Sequence, residues 1–258
     1  MWYFRAALLL GIISLPTLLS ATTILAVRTS TDIYIGVDSK VTQVRPDGSL
    51  LYLEQCKIVQ VGNIFFAAAG PYGRQPTPFD DPRSGLDIRS SLLESQALGG
   101  TIYQIIARFT DLYAGAMVRS LQAVVKSRPK QFEKVFSSPV NVFFFAFDAD
   151  TALLLHKRFT HRRSDALAST IEIVDYDCPP SCAEPHHVDG IGYADIFKNV
   201  SPTVLKTRSP IEVIRETVES SIKADPEKQS DLPVDVLHLN NNGAKWIQKK
   251  AQCPEIQP

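Results

Sequence analysis

The chain has no excess of charge of either sign: 27 Lys and Arg stand against 27 Asp and Glu in 258 residues. Nucleic-acid binders usually carry a basic surplus, so the composition gives no support to a nucleic-acid partner, and no polybasic segment points to a membrane surface. An apolar run of the ~20 residues that a spanning helix needs is also missing. There is no internal repeat and no low-complexity segment, which leaves repeat arrays and biased tails without a basis. Cysteine is sparse, with four residues. An even count in an exported chain permits two disulfides, and four cysteines allow three connectivities. Cys178 and Cys182 flank Pro179-Pro180-Ser181 and suggest a local loop closure, which leaves Cys56 and Cys253 as a pair by elimination only.

The apolar share of 45% and charged share of 21% are ordinary for a globular protein. The length suits one domain or two small ones with a useful core. The first 21 residues stand apart. Arg5 precedes the apolar run Ala6 to Leu15, Pro16 breaks it, and Leu19-Ser20-Ala21 offers a small residue at a cut. This order of charge, apolar run and cleavage site predicts a secretory signal peptide over residues 1–21, with a mature domain over 22–258. The expected location is secreted or periplasmic, with no membrane association after cleavage.

The mature text begins with strands. Thr23 to Val27 and Ile33 to Val37 read as a hairpin, Arg45-Pro46-Asp47-Gly48 as a turn, and Leu50 to Leu53, Lys57 to Val61 and Ile64 to Ala69 as further strands. Together they predict one antiparallel meander. Residues 71–85 carry four prolines and read as a loop. Helical spacing runs from Thr101 to Lys126, with Gly99-Gly100 parting it from a shorter helix near Leu86 to Leu98. Strands return at Val140 to Phe147, Ala152 to Leu155 and Ile171 to Val174. Ser209, Pro210 and Glu212 predict a capping box at the start of a helix whose stripe is Ile211, Ile214, Val218 and Ile222. Val234 to Leu239 reads as a strand, and Ala244 to Ile247 as its return after Asn240 to Gly243. Strands and helices in separate runs predict an α+β fold, not alternating parallel units.

Four segments then carry a resemblance: Thr22-Thr23-Ile24-Leu25-Ala26-Val27-Arg28, Ile35-Gly36-Val37-Asp38-Ser39-Lys40, Lys57-Ile58, and Ala67-Ala68-Ala69-Gly70. They resemble the amino-terminal half of proteasome β subunits and the bacterial HslV peptidase. The spacing from Thr22 to Asp38 matches that family without a gap, and Lys57 is reached by an insertion of about three residues, which a surface turn tolerates. Phe145-Ala146-Phe147-Asp148 and Gly190-Ile191-Gly192 resemble its central strand and its later Gly-Ser-Gly turn, with Ile191 standing where the family has Ser. The resemblance covers most of the mature chain and is specific in its first ~50 residues. It implies the four-layer αββα sandwich of the N-terminal-nucleophile (Ntn) hydrolases, a threonine-type peptidase or amidase, no cofactor and no metal. It also implies a homo-oligomer, since relatives form rings. The family's late supporting Asp and Ser would fall near Glu227 and Ser230.

The chemistry needs these residue types for stated reasons. A Thr hydroxyl is a weak nucleophile and must lose its proton to a base. A free α-amine, with a pKa of ~7.7–8.0, serves at neutral pH, and it exists on Thr22 only once Ala21 is removed. Lys57 would favour the neutral amine and stabilise the oxygen's developing charge. Asp38 would pair that lysine, which is costly to bury alone. Gly70 would let the backbone approach a peptide or amide substrate, and the resemblance implies that its N–H donates to the oxyanion. The alternative is a non-catalytic proteasome-like structural or binding protein, suggested by Ile191.

Three features lie outside this set. Cys178, Cys182, His186, His187 and Asp189 lack a standard zinc spacing and read better as a loop disulfide. His156, Lys157, Arg158, His161, Arg162 and Arg163 read as a solvated hairpin or loop. Asn199-Val200-Ser201 fits the glycosylation pattern.

Overall fold

A computed structural model of the chain describes residues 22–44, 50–70, 87–127, 139–163, 169–182, 186–192, 200–225 and 230–257. The predicted signal peptide, the proline-rich loop, Asn199 and Glu227 lie outside those residues.

Two five-stranded antiparallel sheets, one two-stranded sheet and four helices make up the described residues. The strands are β1 (Ile24–Arg28), β2 (Asp32–Val37), β3 (Lys40–Val44), β4 (Leu50–Glu54), β5 (Ile58–Val61) and β6 (Ile64–Ala69), followed by helices α1 (Ile88–Ala97) and α2 (Ile102–Ser127). Then come β7 (Val140–Asp148), β8 (Thr151–Arg163), β9 (Ser169–Asp175), β10 (His187–Ile191), α3 (Pro202–Thr207), α4 (Pro210–Ala224), β11 (Asp235–Asn240) and β12 (Gly243–Gln248). The first sheet has the order β10-β1-β2-β11-β12 and the second β5-β6-β7-β8-β9.

The period-2 alternation of strands explains how these sheets meet. Ile24 and Ala26 of β1, Ile33 and Ile35 of β2, Phe65 and Ala67 of β6, and Phe143 and Phe145 of β7 share one core between the two sheets. The opposite face of β1, Leu25 and Val27, packs on Val213, Ile214 and Val218 of α4. The opposite face of the second sheet, including Phe66, Phe144 and Phe159, packs on Phe109, Tyr113 and Met117 of α2. Each sheet therefore has the other on one side and helices on its other side. This double burial is why β1 and β6 read as continuous apolar runs, not as alternating strands. At Gly36 an added Cβ would collide with Ile214 Cγ2, so the missing side chain is what lets α4 approach β2.

Three expectations are corrected. The early strands do not form one meander: β1–β2, β3–β4 and β5–β6 belong to three different sheets. Hairpin signals identify sequence neighbours, but β11 takes the other edge of β2, and β7 the other edge of β6. The capping box at α4 does not form. Ser209 is the N-cap and Pro210 follows, but the Ser209 side chain makes no capping bond, so Glu212 acts there only through the helix dipole. The basic cluster lies within strand β8 instead of a solvated loop. His156 and Lys157 are buried, Lys157 is paired with Asp175 and Asp177, while Arg158 and Arg162, the latter paired with Glu172, are exposed.

Both disulfides are present, Cys56–Cys253 with Cα atoms 4.8 Å apart and Cys178–Cys182 at 5.1 Å, inside the usual span. Cys178 and Cys182 approach His187, but their sulfurs bond each other and are not available as thiolates. No described helix is long and apolar enough to cross a membrane.

Candidate functional site

Thr22 and Thr23 enter β1 with opposite facings. Thr23 Oγ1 meets Ser221 Oγ of α4 at 3.0 Å, on the helix side. Thr22, two residues before Ile24, keeps the facing of the inter-sheet core. Its Oγ1 accepts a hydrogen bond from Lys57 Nζ at 3.2 Å. Lys57 immediately precedes β5, so the bond joins the two sheets at one end.

Asp38, at the end of β2, holds that lysine. Lys57 Nζ donates to Asp38 Oδ1 at 2.9 Å and Oδ2 at 2.8 Å. The carboxylate also accepts from Thr23 N at 2.7 Å and Lys40 N at 3.1 Å, while Asp38 N donates to Thr23 O at 3.1 Å. Thr22, Asp38 and Lys57 are 5%, 0% and 4% exposed. Four hydrogen bonds from three donors fix the carboxylate's position, and this fixes the ammonium. Burial pushes the Lys57 ammonium below its ordinary pKa. The Asp38 carboxylate opposes that shift, and Lys250 nearby adds to it.

Gly70 follows β6. Ile58 of β5 faces Ala67 of β6, so the chain reaches Gly70 at the end where Lys57 stands. Its φ is +112°, a region that favours glycine. A Cβ there would also strike the Pro139 carbonyl oxygen and Val140 Cα. The missing side chain is thus what lets the chain at Gly70 pass against the backbone of Pro139 and Val140. Thr22, Asp38 and Lys57 are brought into direct contact, and Gly70 to the same end of the sheets.

Of the two looser positions, Glu227 lies outside the described residues. Ser230 is buried, and its N and Oγ donate to Asp225 Oδ2 at 2.8 and 3.1 Å. The acid that Ser230 meets is therefore Asp225, the C-cap of α4. Ser39 Oγ reaches the carbonyls of Asp231 and Pro233, both at 3.0 Å, tying the Asp38 turn to the same segment. Ile191 stands opposite Ile24 and packs against the inter-sheet core.

Sequence reading missed a second buried pair beside the first. Lys250 Nζ lies 2.7 Å from Asp235 Oδ2, with side chains 2% and 0% exposed. The same ammonium donates to Gln55 O at 2.8 Å, two residues before Lys57, and the Cys56–Cys253 disulfide adds a covalent tie. The available signal was Asp235 itself, an acid inside the apolar run Val234 to Leu239, since a buried carboxylate requires a cation.

No protein-family model matches this chain, and no curated protein matches it either. The functional reading rests on the residues themselves.

Proposed function

We propose that this protein is an exported threonine-type N-terminal-nucleophile hydrolase, a peptidase or amidase with the four-layer αββα architecture of proteasome β subunits. The observation that carries this reading is the 3.2 Å contact of Lys57 Nζ with Thr22 Oγ1, made by an ammonium that both Asp38 oxygens hold.

Removal of residues 1–21 gives Thr22 a free α-amine. The amine takes the proton from Oγ1, and Oγ1 attacks the amide carbonyl. Lys57 lowers the amine's pKa as a like charge and stabilises the negative oxygen. The Gly70 N–H donates to the tetrahedral oxyanion. Collapse transfers the amine's proton to the leaving nitrogen and leaves an ester on Thr22. Water, giving its proton to the same amine, attacks the ester; collapse returns that proton to Oγ1 and releases the acid. None of these steps requires a cofactor. The two disulfides suit an oxidising compartment, which supports export. A homo-oligomer follows from the resemblance to ring-forming relatives.

Two measurements test the reading. The mature amino terminus is determined by intact mass and terminal sequencing after export, with Thr22 the expected first residue. An N-terminal-Thr-directed electrophile such as an epoxyketone is then expected to label Thr22. A retained Ala21 or an unlabelled Thr22 rejects the mechanism. In that case the second reading, a non-catalytic relative, is the better one. It is favoured by Ile191, an apolar side chain against the inter-sheet core where the family has Ser.

A further inference from the structure

A cavity of about 310 Å³ is lined by Pro139, Asn141, His156, Arg158, Asp189 and Ile191, among others. Its walls are the strands that flank the candidate site. Pro139 is the residue whose backbone lies against Gly70. Asn141 stands opposite Ala69, and Gly190 and Ile191 stand opposite Leu25 and Ile24. Asn141 also shares the facing of Phe143 and Phe145, into the inter-sheet space where Thr22 lies.

The polar groups here are a fixed set. His156 Nδ1 lies 2.8 Å from Asp189 Oδ2, and Asp189 Oδ1 accepts from Gly190 N at 2.7 Å. Both carboxylate oxygens are therefore occupied. His156 Nε2 lies 3.0 Å from Asn141 Oδ1, and the ring is stacked on Phe143 with centroids 4.0 Å apart. What remains open is of one kind. Asn141 is 3% exposed, and its Nδ2 has no hydrogen-bond partner. An unpaired buried donor is destabilising until a ligand acceptor meets it. Arg158 is exposed and lines the same cavity. Arg162 and Arg208 have acidic partners, whereas no acid pairs with Arg158 among the described residues. With the Asp189 oxygens already taken by His156 and Gly190 N, the open amide donor of Asn141 and the Arg158 guanidinium match a carboxylate.

We propose that this cavity is a substrate subsite that takes a carboxylate carried on the residue next to the scissile bond. The inference rests on the hydrolase reading and gives it a substrate class, acidic peptides or acyl amides.

The test uses the exported, mature protein. Peptide amides with Glu, Gln or Leu next to the scissile bond, on either side, are compared by kcat/KM. The expected result is a preference for Glu over Leu of about tenfold or more, with a Glu-to-Leu ratio falling to about 1 in Arg158→Ala and inverting in the isosteric Asn141→Asp. A wild-type ratio near 1, with Thr22 labelled by the epoxyketone, overturns the subsite and leaves the hydrolase standing. If Thr22 is not labelled, the hydrolase reading fails and the cavity is judged by binding alone. N-acetylglutamate α-amide and N-acetylglutamine α-amide are titrated in turn while the His156 ring resonances are followed. Saturable shifts with the glutamate compound only, absent in Arg158→Ala, support carboxylate recognition. Equal shifts with both, or none, overturn it.

Discussion

Among the described residues, two lysine–aspartate pairs are fully buried, side by side, and they differ in their third partner. Lys57 is bonded to Asp38 and to Thr22 Oγ1. Lys250 is bonded to Asp235 and to the backbone carbonyl of Gln55. Burial alone would give both pairs the same rank as functional candidates, since both are removed from solvent. The third partner separates them. In the proposed mechanism, the Thr22 hydroxyl on the first ammonium makes a reactive set. A carbonyl on the second makes a structural tie that holds the Gln55–Lys57 segment to the chain's last turn. Perturbed buried charges point to sites only together with such geometry.

The comparison can be broken most sharply at Thr22. Thr22→Ala is expected to abolish turnover, on the order of 10⁴-fold or more, while changing stability by no more than about 2 kcal/mol. A folded, exported variant with unchanged turnover would reject the mechanism. Next come the two lysines. Lys57→Met and Lys250→Met each strand a buried carboxylate, and each is expected to cost about 3–5 kcal/mol in urea unfolding. Only Lys57→Met should also eliminate labelling of Thr22. Loss of labelling in a folded Lys250→Met variant would erase the distinction drawn above.

The disulfides sharpen the same contrast. Cys56–Cys253 closes a loop of sequence separation 197, and Cys178–Cys182 one of 4. Loop-closure entropy then gives about 5 kcal/mol for the first and about 2 kcal/mol for the second. Paired Cys→Ser variants, compared by denaturant midpoint, should fall in that order.

The smallest effect is in pH dependence, with opposite windows for the two pairs. Burial lowers the pKa of Lys57 in the folded state. The unfolded chain therefore binds more protons between the folded value and the ordinary lysine value of 10.5. Stability should rise with pH across that alkaline window and be lost as pH falls through the folded value. Burial raises the pKa of Asp235, with Lys250 opposing. Its contribution is full below the ordinary carboxylate value of 3.8 and is lost as pH rises through the folded value. Lys57→Met should remove the alkaline rise, and Asp235→Asn the acid-side fall, in urea midpoints measured against pH.

Much of this was legible in the sequence because it is local. The boundaries of β1, β2, β6 and α2 follow from apolar periodicity and turn residues over a few positions. The return of β12 on β11 was visible in Asn240 to Gly243. The candidate set Thr22, Asp38, Lys57 and Gly70 came from the resemblance to proteasome β subunits, and the first three are in contact. Less was legible wherever partners are far apart in sequence. His156 and Lys157 look like members of a solvated basic cluster until Asp189, Asp175 and Asp177 are seen against them. Ser209 and Glu212 fit the pattern of a capping box that the side-chain geometry does not make.

The sequence by itself determined the elements, the apolar faces that had to be covered, and the Thr-Thr pair that leads into the first strand. It also determined that Asp235, an acid inside the run Val234 to Leu239, would need a cation, since an isolated buried charge is prohibitively costly. Only the tertiary structure decided which lysine met which aspartate, and which pair received the hydroxyl. Periodicity is set within a few residues, whereas charge pairing depends on strand register and on how one sheet is laid across the other. Thr22 and Lys57 stand on different sheets, and no local rule joins them.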